Sequence, residues 1–593
     1  MDLIGRKDAL ALAGLGAGLA GASPWLAGNP MTLPMLMGPM AGAGWLAWKN
    51  AEQWLNRVDT SNREGFILPS DEAYDETIGE EGLRLGFTKD NGLPIDIPNN
   101  LQMRHTAIIG TSGVGKTTLG YYMLWQQAIR GGGWIFIDAK LDEATRNLLG
   151  YMMKLLGRED DFYVLNINDP SNSNTYNPIL KGDADEVASR LLNLLPSAEN
   201  NPGADYYRQT ANHALTVLAG ALKAAKLRYH FGDMAILLQS GQALSALERM
   251  VPPGPEKMQL QVFLDQFRKR TKEGVIVDTD KLKQLLGGMS GRLAFFAQGK
   301  FGQVFNTYAP EIDLTDIVLG NKFLYVMLPT MAKDAAALNL GKMILSDLRT
   351  AVANVQAVKK RLRPWPPFQI FADEMGSYVM SGVRTLFEQA RSAQICMVPA
   401  FQTFANLALV SPDFMDTIIG NTWNKVFFKF SSKESSEMAA EILGKMKRYQ
   451  HSLSVSENQG SSAQALRVAP QSSQSDSGGI GESWREAEEF RVTPDQLKGL
   501  GMGEAVVLSG TRMFHINTPM LDFPADAETT EYRVVRHSAT VPRDEKVLDF
   551  EQRYREFLVG GGISPEAPAA PNTARDLPDE AAKLMEGLDH PIV

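Results

Sequence analysis

Residues 110–117 read GTSGVGKT, a glycine-rich loop that ends in a lysine and a threonine. This spacing matches G-x-x-x-x-G-K-[ST], in which the glycines let the backbone curl so that its N–H groups face a phosphate. Lys116 is expected to bridge the β- and γ-phosphates, and the Thr117 hydroxyl to ligate Mg²⁺. A strand pattern precedes the loop and a helical pattern follows it, which is the context that the motif requires. The loop therefore predicts a site for ATP and Mg²⁺.

The predicted phosphate-binding residues occupy this loop and the first turn of the helix after it. They are Gly110, Thr111, Ser112, Gly113, Val114, Gly115, Lys116, Thr117 and Thr118. The alternative is an ordinary glycine turn, which would not need a strand before it and a helix after it.

A second motif lies far along the chain, where the apolar run FQIFADE (368–374) ends in Asp373 and Glu374. Two carboxylates after a strand suit the carboxyl edge of a parallel sheet, where the phosphate loop is also expected. Asp373 is predicted to hold Mg²⁺ and Glu374 to polarise the attacking water. The alternative for such a pair is a solvated strand end. Together with the loop, the pair favours ATP hydrolysis over phosphoryl transfer to a metabolite.

A third segment, EQARSAQICMVPAFQT (388–403), offers two further polar residues. Gln402 is expected at the end of the next strand, in position to sense the γ-phosphate. Arg391 lies before that strand, where a neighbouring subunit of a ring could use it to stabilise transition-state charge. By residue type alone, the interpretation of either residue as a surface polar group is somewhat favoured.

The elements that position these motifs alternate between strands and helices, which indicates an α/β fold with a parallel sheet. Strands are predicted at 104–110, 162–167, 322–328, 368–374, 394–400 and 425–430, a turn followed by a strand at 131–140, and a closing hairpin at 504–516. From 183 to 300 the sequence is instead amphipathic at helical spacing, which predicts an all-helical insertion. A polar stretch at 452–485 is typical of a flexible loop. The long interval between the loop and the acidic strand indicates the additional-strand class of ATPases, which commonly work as rings.

Composition sets broad limits on the protein. A chain of 593 residues with 44% hydrophobic and 21% charged residues is predicted to fold into two or three globular domains. The net charge of −9 argues against a surface coated in nucleic acid, although it leaves room for a local basic channel. A single cysteine, Cys396, excludes a disulfide framework, and the seven histidines show no metal-ligand spacing.

The first fifty residues have the pattern of a membrane anchor. Between Asp8 and Lys49 there is no charged residue, and one spanning helix needs about 20 residues, so this stretch supplies two. Arg6 and Lys7 precede the first span, and Lys49 follows the second, which places both ends in the cytoplasm by the positive-inside rule. A cleaved signal peptide is the alternative, suggested by the small residues before Ser23, but it leaves the second span unexplained.

Taken in order, these segments resemble the type IV coupling proteins, inner-membrane ATPases that feed DNA–protein or protein substrates into conjugation and type IV secretion channels. The resemblance covers about residues 1–520 and includes HTAIIGTSGVGKTT, WIFIDAK, FYVLNINDPSNSNTYNPI, FADEMG, ARSAQICMVPAFQT and TPDQLKGLGMGEAVVLSG. Tyr176-Asn177-Pro178 is family-like. Arg391 and Gln402 match the family's trans-acting arginine and nucleotide-sensing glutamine. The turn at 138–140 is Asp-Ala-Lys, where the family usually has Asp-Pro-Lys-Gly.

The resemblance implies a RecA-like P-loop ATPase domain with an inserted all-α domain and a two-helix transmembrane anchor. The predicted domains are an anchor (1–50), two parts of the nucleotide-binding domain (51–182 and 301–522), the all-α domain (183–300) and an acidic, disordered tail (523–593). A homo-hexamer is implied, in the bacterial inner membrane with two passes and its bulk in the cytoplasm. The implied partners are the channel's inner-membrane and ATPase subunits, and relaxase-bound DNA or protein effectors.

Two other functions stay open at this stage. One is a double-stranded DNA translocase of the chromosome-segregation type, which would usually bring more spans and a C-terminal DNA-reading domain. The other is a cargo-receptor platform that nucleotide stabilises without pumping, against which the acidic pair argues. Two basic runs, 267–272 and 358–364, could touch phosphate backbones but are more often solvated helix ends.

Overall fold

The computed structural model describes residues 68, 82–195, 202–271, 274–330, 334–459 and 476–550. The predicted membrane anchor at residues 1–50 lies outside these ranges. Within them, no helix is both long and apolar enough to cross a bilayer. The chain divides into two compact units, Ser70–Ser435 with Gly503–Val593 and Met1–Pro69 with Ser436–Met502.

The larger unit is built on one eleven-stranded sheet, with the strand order β2-β1-β16-β15-β12-β3-β11-β10-β4-β9-β5. The strands of the chain, those of smaller sheets included, are β1 (Gly82–Thr88), β2 (Pro94–Pro98), β3 (Thr106–Ile109), β4 (Trp134–Asp138), β5 (Phe162–Asn166), β6 (Leu227–Arg228), β7 (Arg268–Thr271), β8 (Gly274–Val277), β9 (Phe323–Met327), β10 (Phe368–Ala372), β11 (Ile395–Phe401), β12 (Asn424–Phe427), β13 (Lys445–Gln459), β14 (Asp476–Phe490), β15 (Glu504–Ser509), β16 (Arg512–Asn517) and β17 (Lys546–Val547).

The helices follow in chain order. They are α1 (Asn99–Gln102), α2 (Lys116–Ile129), α3 (Glu143–Leu155), α4 (Ala184–Leu192), α5 (Pro202–Ala224), α6 (Phe231–Leu237), α7 (Gly241–Met250), α8 (Pro255–Asp265), α9 (Thr279–Ala297), α10 (Gly299–Phe305), α11 (Leu314–Leu319), α12 (Asp334–Ala357), α13 (Arg384–Gln389), α14 (Phe404–Ala408), α15 (Pro412–Asn421), α16 (Lys433–Leu443) and α17 (Pro494–Gly499). Helix α17 and most of α16 belong to the smaller unit.

Seven neighbouring strands of the large sheet, from β12 to β5, run parallel. Their residues are buried throughout, as their continuous apolar runs predict for strands covered on both faces. β11 lies between β3, which leads into the phosphate loop, and β10, which ends at Asp373. This order confirms the predicted α/β class, its parallel central sheet and the additional strand. Four antiparallel strands, including the predicted hairpin β15–β16, extend the sheet beyond β12.

The helical insertion begins after Tyr176-Asn177-Pro178, and the chain that returns from it passes this tripeptide near Thr307. The Asn177 side-chain amide donates to the carbonyls of Tyr229 and Thr307, 2.9 and 2.8 Å away, and so ties the insertion to the chain that returns from it. The Tyr176 hydroxyl donates to Asp347 on α12 at 2.6 Å. These contacts give a physical reason for that tripeptide at the junction.

The segment predicted as an all-α domain (183–300) consists mainly of helices α4–α9, but it also contains the antiparallel hairpin β7–β8. The hairpin includes the basic run Arg268-Lys269-Arg270, so this run is part of a strand and not a helix end. The domain boundaries themselves remain predictions.

The prediction of a disordered tail from residue 523 is wrong for its first part. Residues 523–550, here called the C-terminal strap, run without long helices or strands, with turns at 525–530 and 543–544, along the sheet domain and then onto the insertion, where β17 pairs with β6. The strap ends with the Phe550 N–H bonded to the buried Asp233 carboxylate at 2.7 Å. Residues 551–593 lie outside the described ranges.

In the smaller unit, the described parts of the stretch predicted as a flexible loop (452–459 and 476–485) are paired β-structure. β13 and β14 form an antiparallel ladder in one continuous register, from Lys445 opposite Phe490 to Gln459 opposite Asp476. Serine and glutamine dominate the composition and suggest a loop. The alternation of Leu453 and Val455 with serines is the strand signal that composition hides.

Candidate nucleotide-binding site

The phosphate loop connects β3 to α2 and needs its glycines for conformation and space. Gly113 and Gly115 have φ of 77° and 111°, in the left-handed region that side chains disfavour. A Cβ on Gly110 would lie 2.6 Å from the Cβ of Phe428 on the neighbouring chain segment. The loop therefore holds its shape at the carboxyl edge of the sheet, at the N-terminus of α2, where the helix dipole favours an anion.

The other predicted loop residues take different positions. Ser112 is exposed, Thr117 and Thr118 are partly buried, and the Val114 side chain belongs to the hydrophobic core. The Thr111 N–H is already bonded to the Lys429 carbonyl at 2.9 Å. Any contribution of Val114 to phosphate binding thus comes from its backbone.

Lys116 points back into the loop. Its side chain is buried, and Nζ donates to the carbonyls of Gly110 and Thr111 at 2.6 and 2.8 Å. Burial lowers its pKa below the ordinary value, against the opposite effect of the nearby Glu374 and Asp373 carboxylates. An ammonium held by two carbonyls at the mouth of a glycine loop is poised to exchange those acceptors for phosphate oxygens.

The acidic pair follows β10 at the same edge of the sheet. Asp373 is fully buried, and its Oδ2 lies 3.2 Å from the Thr117 hydroxyl, which donates to it. Its other carboxylate oxygen accepts the Glu374 N–H at 3.0 Å, and its carbonyl accepts the Tyr378 hydroxyl. Glu374 has φ of 49°, a conformation that turns it away from the strand direction. The structure thus brings Lys116, Thr117, Asp373 and Glu374 together.

Gln402 joins this group from the end of β11. Its Nε2 donates to Oε1 of Glu374 at 2.8 Å. The predicted sensor therefore directly contacts the predicted water-activating carboxylate. Its role in sensing phosphate stays a prediction.

Sequence reasoning missed the contributions of β4 and β9 to the site. Asp138 ends β4 next to Asp373, and it accepts hydrogen bonds from the Lys140 N–H and the Tyr325 hydroxyl at 2.8 and 3.0 Å. Burial and the Asp373 charge raise the pKa of Asp138 to about 7. Lys140 Nζ lies 3.6 Å from Asp373 Oδ2 and 3.9 Å from Glu374 Oε1. The sequence signal for this part of the site was WIFIDAK, a second apolar strand that ends in an acidic residue.

Arg391 is not part of this group. It is exposed on a short 3-10 turn, Ala390–Ala393, that precedes β11, whereas the phosphate loop follows the parallel β3. The length of β11, seven residues, separates the two edges by about 20 Å. Within the described residues, the Arg391 side chain makes no hydrogen bond or ion pair. Arg391 therefore faces away from the site on its own chain.

The turn that carries Arg391 is nevertheless firmly held. Gln356 at the end of α12 donates to the Gln389 carbonyl and the Ser392 hydroxyl at 2.9 and 2.8 Å. The Arg363 guanidinium donates to the Ser392 carbonyl and to two carbonyls near the end of α12. An exposed arginine on a well-braced turn is suited to a partner outside its own chain.

The residues present fit ATP and Mg²⁺. The Thr117 hydroxyl and the Asp373 carboxylate converge as oxygen donors, which Mg²⁺ prefers, and the loop supplies the N–H groups and lysine that phosphates need. When bound, the metal ion would neutralise charge on the phosphate oxygens. The phosphate loop, the additional strand and the acidic pair together define the class of P-loop nucleotide-binding proteins.

Comparisons with known proteins narrow this class. Residues 367–495 match the family described as "TraM recognition site of TraD and TraG". The chain is 23% identical over 397 residues to the type 4 coupling protein DotL of Legionella pneumophila strain Philadelphia 1, covering 58% of this chain and 49% of DotL. The chain thus spans about half the length of that curated relative. The two matches confirm the resemblance to the type IV coupling proteins.

Among solved structures, several of the coupling protein TrwB are similar to this chain. The unbound bacterial conjugative coupling protein TrwBdeltaN70 has a TM-score of 0.49 at 14% identity, covering 76% of this chain and 91% of its own. The plasmid coupling protein TrwB in complex with ADP and Mg²⁺ gives 0.48 at 14%, with coverages of 77% and 96%. VirB4 of Thermoanaerobacter pseudethanolicus gives 0.43 at 13%, with coverages of 78% and 100%.

Proposed function

We propose that the protein is a membrane-anchored ATPase that couples ATP hydrolysis to the delivery of a substrate into a type IV secretion or conjugation channel. The observation that carries the proposal is the convergence of Lys116, Thr117, Asp373, Glu374 and Gln402 at one edge of the sheet. A binding platform needs only the loop, whereas hydrolysis also needs the carboxylate next to it.

Each residue has a distinct role in this proposal. Lys116 and the loop N–H groups hold the phosphates, and Thr117 with Asp373 holds Mg²⁺. Glu374 accepts the proton of the attacking water, and Gln402, already bonded to Glu374, aligns that carboxylate with the terminal phosphate.

The proposed assembly is a homo-hexamer. Arg391 lies on the opposite edge from the site of its own chain, so it would serve the site of a neighbour in a ring. The proposed location is the bacterial inner membrane, with two passes near the N-terminus and the bulk in the cytoplasm, as the uncharged stretch before Lys49 suggests. The substrate is relaxase-bound single-stranded DNA, protein or both, and the partners are the inner-membrane and ATPase subunits of the channel.

Lys116→Ala tests the proposal as a whole. It is expected to abolish ATP hydrolysis and substrate transfer, because the phosphates lose their main cation, while the amount of protein in the membrane fraction stays unchanged. Hydrolysis by the purified protein and transfer between cells are the two measurements. Normal transfer by this variant would contradict the proposal of an ATP-driven pump.

Arg391→Ala tests the ring. We expect nucleotide affinity to be retained and turnover to fall by about a hundredfold or more, as for loss of an arginine that acts in trans. Adding a Lys116→Ala chain, which still supplies its arginine, is expected to restore part of the turnover in mixed rings. Unchanged turnover by Arg391→Ala alone would show that Arg391 is an ordinary surface residue with no role in hydrolysis.

A further inference from the structure

Lys140 brings a second ammonium to the acidic pair. The turn after β4 is fixed by the Lys140 N–H, which donates to Asp138 at 2.8 Å, and by the Thr330 hydroxyl, which donates to the Ala139 carbonyl. This turn places Lys140 Nζ 3.6 Å from Oδ2 of Asp373 and 3.9 Å from Oε1 of Glu374. The position of Lys140 thus depends on the side-by-side pairing of β4 and β10.

The two lysines near the acidic pair differ in what they contact. Lys116 donates to loop carbonyls, whereas Lys140, in the described part of the chain, is the cation in ion-pair distance of Asp373. Asp373 is fully buried, and a buried carboxylate needs a counter-charge. Lys140 therefore supplies this counter-charge next to the pair.

The oxygen atom that Lys140 approaches also contacts the Thr117 hydroxyl, at 3.2 Å. Thr117 and Asp373 are the two residues that fit Mg²⁺, so the ammonium and a divalent cation would share one carboxylate. We propose that Lys140 is an internal competitor of the metal ion, which keeps free Mg²⁺ out of the site until a nucleotide arrives. This inference rests on the proposed nucleotide site and adds a residue that controls when a metal ion can bind there.

The competition has a clear functional result. The phosphate oxygens of a nucleotide offer ligands to the metal ion and hydrogen-bond acceptors to the Lys140 ammonium. The metal ion and the nucleotide therefore bind together. Without Lys140, Asp373 and Glu374 would lose their ion-pair partner and would bind a free divalent cation more tightly. Two unit charges about 4 Å apart at a partly exposed position interact strongly enough to change a binding constant by about tenfold.

Binding of Mn²⁺ to the nucleotide-free, full-length protein tests this inference, with electron paramagnetic resonance of free Mn²⁺ as the readout. Lys140→Met is expected to bind Mn²⁺ about tenfold more tightly than the unaltered protein, and Lys140→Arg to resemble the unaltered protein. Lys154→Met, an exposed lysine on α3, controls for the loss of one positive charge. An affinity of Lys140→Met equal to or weaker than that of the unaltered protein overturns the inference.

A double-variant cycle locates the effect. In an Asp373→Asn background, Lys140→Met should no longer raise Mn²⁺ affinity, because the shared oxygen has lost its charge. An undiminished gain there overturns the inference. Neither arm needs ATP turnover, so the proposed hydrolysis could fail while the Mn²⁺ result stands. Equally, the protein could hydrolyse ATP while Lys140→Met leaves Mn²⁺ affinity unchanged.

Discussion

The nucleotide site and the groove that holds the C-terminal strap are both lined by polar side chains of the larger unit, but the hydrogen-bond partners of those side chains differ. In the groove, Asn147 and Asn172 each accept one strap N–H and donate to one strap carbonyl, at 2.8–3.0 Å. Asn174 donates to the Val535 carbonyl at 2.9 Å while its oxygen accepts an N–H of β5.

In the nucleotide site the polar groups are charged, crowded and bonded mainly to one another. Lys116 is bonded to its own loop and Glu374 to Gln402, and burial with the Asp373 charge raises the pKa of Asp138 to about 7. Neutral amides that match a backbone stabilise the fold, by about 1 kcal/mol for each bond. A cluster of like charges does not, and it persists because a ligand completes it.

Changing Glu374 should have the largest effect of these substitutions, and the effect should be on catalytic activity and not on stability. We expect Glu374→Gln to lower the turnover of ATP by about a hundredfold or more, since the amide cannot accept the proton of water. The amide oxygen can still accept the bond from Gln402, so nucleotide affinity and the free energy of unfolding should change little. Steady-state hydrolysis, nucleotide titration and urea unfolding are the measurements. A large loss of stability would show that Glu374 acts like the groove asparagines.

Changing Asp138 should show how much the charged cluster lowers the free energy of unfolding. Its pKa of about 7 in the folded protein exceeds the ordinary value of about 3.9 in the unfolded chain. The folded protein thus binds this proton more tightly between those pH values, and stability falls as pH rises through that window.

Because Asp138→Asn removes this titration, the stability of the variant relative to the unaltered protein should rise by about 2–3 kcal/mol from pH 5 to pH 8. Urea unfolding at several pH values measures it, with Asp160→Asn at an exposed position as the control. A stability difference that is the same at every pH would contradict the prediction.

Changing Gly150 should disturb the groove alone. In the middle of a helix, Gly→Ala ordinarily stabilises by about 1 kcal/mol. On α3, however, a Cβ at Gly150 would lie 2.2 Å from the Tyr532 ring of the strap. We therefore expect Gly150→Ala to destabilise by about 1–3 kcal/mol, with no change in nucleotide affinity.

Two controls show whether contact with the strap causes the loss of stability in Gly150→Ala. Gly288→Ala on α9, where a Cβ meets nothing within 4 Å, should stabilise. In a Tyr532→Ala background, Gly150→Ala should lose its destabilising effect, because the ring is gone. If Gly150→Ala stabilises the unaltered protein, the strap does not lie against α3 in solution.

The same two regions show what could be predicted from sequence. The phosphate loop and the acidic pair are local motifs next to buried strands, so their spacing and apolar runs predicted both the sheet and the site. The contact between Lys140 and Asp373 was not predicted, because it depends on which strands lie side by side. The sequence also did not show whether Arg391 could reach the site of its own chain. Because β11 and β3 are parallel, Arg391 before β11 and the phosphate loop after β3 lie at opposite edges of the sheet.

The strap was missed for a different reason. Its composition is polar and acidic, which is typical of disorder, and its order comes from asparagines in separate segments of the chain. No local pattern in residues 523–550 indicates those partners. Asn147, Asn172 and Asn174 would be better clues, since polar side chains beside apolar runs often have a backbone to bind.

The path of the strap also determines how the molecule carries mechanical load. At its end, the Phe550 N–H is bonded to Asp233, and β17 pairs with β6 in parallel. A pull on the chain beyond Phe550 therefore acts first on the helical insertion and loads its two-stranded pair in shear. Only when those bonds yield does the force reach the asparagine groove and the sheet.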